Sequence, residues 1–222
     1  MRKYVIMGVQ GSGKGTQSEI LAADLDLVHI SVGGIFRWNV ANHTKLGSRV
    51  RQVMATGELV SDDVVESVIR ARLAEHDWNF GFILDGFPRS LGQAEFFLAN
   101  YDIDAVIQLD MPDSEVRRRV AARSGRGVCA KCGMDYNALG DSPAAPGTCD
   151  ACGGEVKPRD DDTEEALRVR LREYHGSTEP VLDLFRRKES VVTIDARPPV
   201  EKVQQEIRSR LGLPEYKGGA AQ

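Results

Sequence analysis

Gly8-Val9-Gln10-Gly11-Ser12-Gly13-Lys14-Gly15-Thr16 satisfies Gly-x-x-x-x-Gly-Lys, with the threonine one place later than usual. Glycines take the positive φ angles that a wrapped loop requires, so successive backbone N–H groups aim at one anion. Gly11, Ser12, Gly13 and Gly15 supply that nest. Lys14 neutralises β- and γ-phosphate charge, and Thr16 sets a hydroxyl near the accompanying metal ion. Such a loop implies a nucleotide and leaves the reaction open.

Phe82-Ile83-Leu84-Asp85 is an apolar strand ending in a carboxylate. On the strand beside a phosphate loop, Asp85 serves a Mg²⁺ ion indirectly. Gly86-Phe87-Pro88-Arg89 continues from it, so Arg89 stands at the carboxyl edge of the sheet, where open α/β folds bind ligands.

Two Cys-x-x-Cys pairs, Cys129 with Cys132 and Cys149 with Cys152, are each followed by glycine. Glycine lets the backbone turn its N–H groups toward thiolate sulfur, and the pattern specifies a tetrahedral Zn²⁺ ribbon. Four thiolates fill the coordination sphere, so the metal is structural and holds together a segment too small to bury a core. Iron in place of zinc stays open, as do free or disulfide-bonded cysteines.

The elements that must position these residues follow from periodicity. Apolar runs at 4–7, 28–30, 82–84, 105–109 and 191–194 read as buried parallel strands. Helical patterns cover roughly 14–25, 62–75, 91–99, 114–123, 164–175 and 200–211. The alternation predicts an α/β fold, a doubly wound parallel sheet of the P-loop NTPase type. Residues 31–60, helical throughout, and 124–162, with the cysteines, exceed ordinary connections, so each is a small subdomain or lid. The division is core at 1–30, a helical insertion at 31–60, core at 61–123, a zinc-ribbon lid at 124–162, and core with a frayed tail at 163–222.

The chain has 222 residues and a formal net charge of −4, which argues against nucleic acid or an anionic membrane held by bulk charge. The apolar run at the N-terminus is too short for a signal peptide, and no stretch reaches a membrane span. A cytoplasmic location follows, where paired cysteines favour a metal over disulfides.

Gly-x-Gly-Lys-Gly-Thr-Gln at 11–17 with Asp-Gly-Phe-Pro-Arg at 85–89 resembles the adenylate kinase family over nearly the whole chain. The resemblance implies a monomer that moves the terminal phosphoryl group of Mg²⁺·ATP to AMP, giving two ADP. It makes 31–60 the AMP-binding insertion, with Val32, Arg37, Glu58, Leu59 and Val60 at the acceptor. Gly86, Phe87, Pro88 and Arg89 line the same site, and Gln93 matches the glutamine that reads adenine through an amide donor and acceptor. Asp135, Tyr136 and the backbone at Pro198 align with donor contacts.

Arginines recur where such a kinase needs them: Arg37, Arg89, Arg119, Arg123, Arg126, Arg159 and Arg170. Phosphoryl transfer asks for alignment and positive charge, which planar guanidinium forks supply. Arg119 and Arg123 keep the family's spacing of four, while counting back from Cys129 selects Arg126. Arg123 and Arg126 are joint candidates for the donor phosphate, and an insertion of about three residues at 124–126 accounts for both counts. Arg159 and Arg170 keep the family spacing on the acceptor side.

The sequence departs from the family at Gln10, where proline is usual, at Val32 for threonine and at Gly34 for aspartate. Those changes keep open a nucleoside monophosphate kinase with another acceptor or a GTP donor. A zinc-ribbon protein that binds nucleic acid or a partner without catalysis is the rival from another class. Arg117, Arg118, Arg119, Arg123, Arg126 and Lys131 are its support, and the acidic balance opposes it.

Overall fold

A computed structural model describes residues 2–77, 80–122, 127–136, 143–158, 163–189 and 191–218. Strands β1 (Lys3–Gly8), β2 (Val28–Ser31), β3 (Phe82–Asp85), β4 (Ala105–Asp110) and β8 (Val191–Asp195) form one sheet in the order β2-β3-β1-β4-β8. Every pairing in it is parallel.

Alternation along β1 explains why both faces are covered. Val5 and Met7 join one apolar cluster with Phe87, Phe97, Val181 and Phe185. Tyr4 and Ile6 point the other way, into a cluster with Leu21, Leu167, Val203 and Ile207. Burying each large apolar side chain is worth about 1.5–3 kcal/mol, so a central strand buried on both sides anchors the doubly wound arrangement.

Helices α1 (Lys14–Leu25), α4 (Asp62–Ala74), α5 (Leu91–Asn100), α6 (Asp113–Ala122), α7 (Glu164–Glu173), α8 (Glu179–Lys188) and α9 (Val200–Leu211) surround the sheet. The 31–60 segment is two helices, α2 (Val32–Ala41) and α3 (Lys45–Thr56), capped by Ser31 and Thr44. They cross closely at Gly47, where an added Cβ would sit 2.1 Å from the Asn39 carbonyl oxygen, so no larger residue fits.

The cysteine-bearing segment makes a separate antiparallel sheet of β5 (Gly127–Cys129), β6 (Asp135–Tyr136) and β7 (Val156–Pro158), in the order β6-β5-β7.

Two differences from the periodicity reading matter. The helix expected over 164–175 stops at Glu173 and continues as a π-helical turn, Tyr174–Thr178. Helix α8 then follows, with Pro180 in its first turn, cations in its last and Val181, Leu182 and Phe185 buried. The periodicity reading assigns no helix between 175 and 191, and Pro180 is compatible with α8 because it falls in the first turn, where its missing N–H leaves no helical hydrogen bond unmade.

Candidate active site

The cleft lies at the carboxyl ends of the strands and measures about 1560 Å³. Gly13 ends the phosphate loop in the left-handed region at φ 95°, directly before α1. Gly8 approaches so closely that an added Cβ would meet the Leu109 carbonyl oxygen at 2.5 Å. The Lys14 Nζ donates to the carbonyls of Gly8 at 2.8 Å and Val9 at 3.0 Å, which holds the ammonium over the loop. Gly11, Gly13, Lys14, Gly15 and Thr16 line the cleft. Ser12 does not; its side chain is buried and its N–H donates to Val9.

The acceptor candidates converge on the same space. Val32, Arg37, Glu58, Leu59 and Val60 line one wall, and Asp85, Gly86, Phe87, Pro88, Arg89 and Gln93 another. The Ser31 hydroxyl accepts from the Gly34 N–H and so starts α2. Arg37 reaches back along that helix until one guanidinium nitrogen is 3.1 Å from where a Gly33 Cβ would stand.

Arg89 is held from several sides. Its Nε donates to the Gly86 carbonyl at 2.9 Å, and its own carbonyl accepts from the Thr178 hydroxyl at 2.9 Å. Gln93 is buried at 2% exposure, with Oε1 accepting from the Arg89 N–H and Nε2 donating to Asp62. Arg170 also lines the cleft and donates to the Met54 carbonyl at 3.3 Å, joining α7 to the end of α3.

The donor-side expectations fare differently. Tyr136 lines the cleft, but its hydroxyl donates to Cys149 Sγ at 3.2 Å and accepts from the Asp150 N–H at 2.7 Å. Pro198 is half-buried in the β8–α9 connection and is not brought to the cleft lining. Arg119 donates to the carbonyls of Ala196 and Arg197 beside it, and Gln17 donates to that of Val200, so two polar clamps fix this segment. Arg123, Arg126, Arg159 and the Asp135 side chain lie outside the described residues.

Sequence reasoning missed Trp38, Met54, Tyr174 and Thr178, all in the lining. Thr178 stands 89 positions from the arginine it supports, so no local signal could have found it.

The four cysteine sulfurs lie within 4.8 Å of one another. Two separations, Cys129 to Cys152 and Cys132 to Cys149, are 3.5 Å. A tetrahedral zinc–thiolate centre with bonds of about 2.3 Å has sulfur–sulfur edges of about 3.8 Å, so the cage is the right size. The Tyr136 hydroxyl, with burial opposing and the Cys152 and Ala151 N–H groups helping, draws the Cys149 thiol down to about 6. Despite the Met134 N–H, burial and the neighbouring sulfurs push Cys132 up to about 12. Full ionisation of all four so close together requires a cation between them. The donor set therefore fits one metal ion.

Asp85 fits a magnesium-supporting role on similar grounds. Its Oδ2 would be 3.8 Å from a Cβ at Gly15, so the carboxylate faces the start of the phosphate-loop helix.

A parallel sheet with a phosphate loop after its central strand, and an arginine-bearing cleft roofed by a small cysteine-bearing sheet, defines a P-loop phosphotransferase. The family model for adenylate kinase matches residues 6–190. An adenylate kinase of Salinispora tropica is 42% identical over 221 residues, 97% of this chain and 100% of its own. One from Streptomyces griseus is 42% identical over 207 residues, 90% and 93% of the two chains. One from Caldicellulosiruptor bescii is 36% identical over 216 residues, 95% and 99%. The chain belongs to the adenylate kinase family.

Proposed function

We propose that the protein transfers the terminal phosphoryl group of ATP to AMP, reversibly, forming two molecules of ADP. The observation that carries this reading is one cleft bearing Lys14 on the phosphate loop, Arg37 on α2 and Arg89 after β3. Polyphosphate held by the loop and a monophosphate held by Arg37 and Arg89 would meet end to end. An acceptor phosphate oxygen then attacks the γ-phosphorus, the bond to the β-bridging oxygen breaks, and ADP leaves.

Chain residues supply position and charge. Lys14 exchanges its two loop carbonyls for phosphate oxygens, and Arg89, already oriented by Gly86 and Thr178, stabilises charge on the transferring group. Arg170, and by family resemblance Arg159 with Arg123 or Arg126, adds to that field. Asp85 and Thr16 would support Mg²⁺, which supplies charge neutralisation on the donor phosphates.

The metal is zinc in a structural role, held by Cys129, Cys132, Cys149 and Cys152, and the braced lid keeps water from the phosphoryl group. Among the described residues no helix is long and apolar enough to cross a membrane. The formal charge of −4 supports the reading without nucleic-acid partners, and the family resemblance supports a cytoplasmic monomer.

A coupled assay pairing ATP or GTP with AMP, CMP, UMP or GMP tests the assignment. ADP formation with ATP and AMP as the preferred pair is expected; preference for a pyrimidine acceptor overturns it. Simultaneous occupation of both subsites by an adenine dinucleotide bridged by five phosphates is expected as well.

A further inference from the structure

Asp62, the first residue of α4, stands behind the cleft wall, while Gln93 forms part of it. One carboxylate oxygen accepts from Gln93 Nε2 at 2.7 Å and the other from the Ser90 hydroxyl at 2.8 Å. On the opposite end of the same amide, Gln93 Oε1 accepts from the Arg89 N–H at 2.8 Å. Ser90 in turn accepts from the Gln93 N–H at 3.1 Å, which starts α5. Gly92 leaves room for this arrangement, because a Cβ there would stand 2.9 Å from Asp62 Oδ2.

A glutamine amide is nearly symmetric in shape, and its two orientations exchange donor for acceptor. Both groups that hold Gln93 are one-way. An ionised carboxylate only accepts, and a backbone N–H only donates. They permit one orientation and oppose the flipped one twice, with oxygen against oxygen and N–H against N–H. Each end of the amide has capacity for one more hydrogen bond, so the polarity it offers a base is set in advance.

We propose that Asp62 is a positioning residue that fixes the polarity of the acceptor-base sensor, and so selects 6-aminopurine over 6-oxopurine nucleotides. This rests on the proposed AMP acceptor site. Adenine carries a donor at N6 beside ring-nitrogen acceptors. A 6-oxopurine carries an acceptor at position 6 and a donor at N1, which only the flipped amide would match. Discrimination arises because the wrong base leaves polar groups unpaired in a dry pocket.

The experiment measures kcat/KM for AMP and for inosine monophosphate, with ATP as donor, in the full chain and in three variants. Wild type is measured first; failure to use AMP would remove the acceptor reading, and this inference with it. Given AMP turnover, Asp62→Asn should lower the AMP-to-inosine-monophosphate ratio about tenfold, because an amide at 62 offers either end to Gln93. The loss should fall mainly on KM for AMP, with KM for ATP unmoved. Gly92→Ala, which pushes the carboxylate aside without removing its charge, should shift the ratio the same way, and it serves should Asp62→Asn fail to fold. Ser90→Ala loosens the same helix contact yet leaves the carboxylate on Gln93, so it should keep the ratio. An unchanged ratio in both Asp62→Asn and Gly92→Ala, or an equal fall in Ser90→Ala, overturns the proposal.

Discussion

Gly133, in the turn after the first pair of cysteines, lies flat against Trp38 on α2. A Cβ at Gly133 would stand 3.2 Å from Trp38 Cδ1 and 3.3 Å from its Cβ. The cysteine-bearing turn thus abuts α2 across the cleft, and Trp38 remains 41% exposed beside it. Glycine at this position has φ 78° and brings backbone to the indole without a side chain between them.

Trp38 lines the cleft at that contact, where an indole would help to exclude water from the phosphoryl group. Trp38→Ala should raise the share of ATP lost to hydrolysis relative to phosphoryl transfer, read as inorganic phosphate released per ADP formed with AMP present. An unchanged partition would show that the indole is not part of the seal.

Arg89 faces the cleft and is oriented by the Gly86 carbonyl and the Thr178 hydroxyl. Arg89→Ala should lower kcat about 10²–10³-fold, the loss expected for one charge-stabilising donor. The melting temperature should stay near wild type, since the buried apolar residues around it are unaffected. Circular-dichroism melts and steady-state kinetics on one preparation decide between a role in the reaction and a role in the fold.

The three-stranded lid sheet has a core of Cys129, Tyr136 and Cys149, with Cys152 and Val156 packed against it, too little to hold itself together. Cys149→Ala should release the metal and unfold the lid while the five-stranded sheet persists. Elemental analysis giving one zinc per mutant chain would contradict four-sulfur ligation. Chelation of the wild-type protein should reproduce the effect and be reversed by added zinc.

His175 sits in the π-helical turn, with Nδ1 2.9 Å from Glu179 Oε2 and Nε2 3.0 Å from Asp113 Oδ1. The Glu179 hydrogen bond first, then that of Asp113, raises its pKa above 6.5. The folded state therefore holds the proton more tightly than the unfolded one. This stability is complete below the unfolded value and is lost as pH rises through the folded one. Melting temperature should decline over that window, and His175→Gln should flatten the decline. The imidazole is half exposed, so the effect is small and shrinks in high salt.

Much of the architecture was legible because its causes are local. Apolar runs marked the strands, and glycines with a lysine in register marked the phosphate loop, since backbone φ and N–H direction depend on a few adjacent residues. The close grouping of Cys129, Cys132, Cys149 and Cys152 was legible for the same reason: each pair sits in a short turn. Helix α8 was obscured by Pro180, whose meaning reverses between the first turn of a helix and its interior.

What the chain alone determined is the fold class, the family and many of the residue types that line the cleft. What required the folded molecule is which partner each polar group meets: Asp62 on Gln93, Thr178 on Arg89, Arg170 on Met54 and Arg119 on the backbone at 196 and 197. Those partners lie 31 to 116 positions apart in sequence, so no periodicity records them. Hydrogen bonds are directional over about 3 Å, and only packing of whole helices against the sheet brings distant side chains within that range.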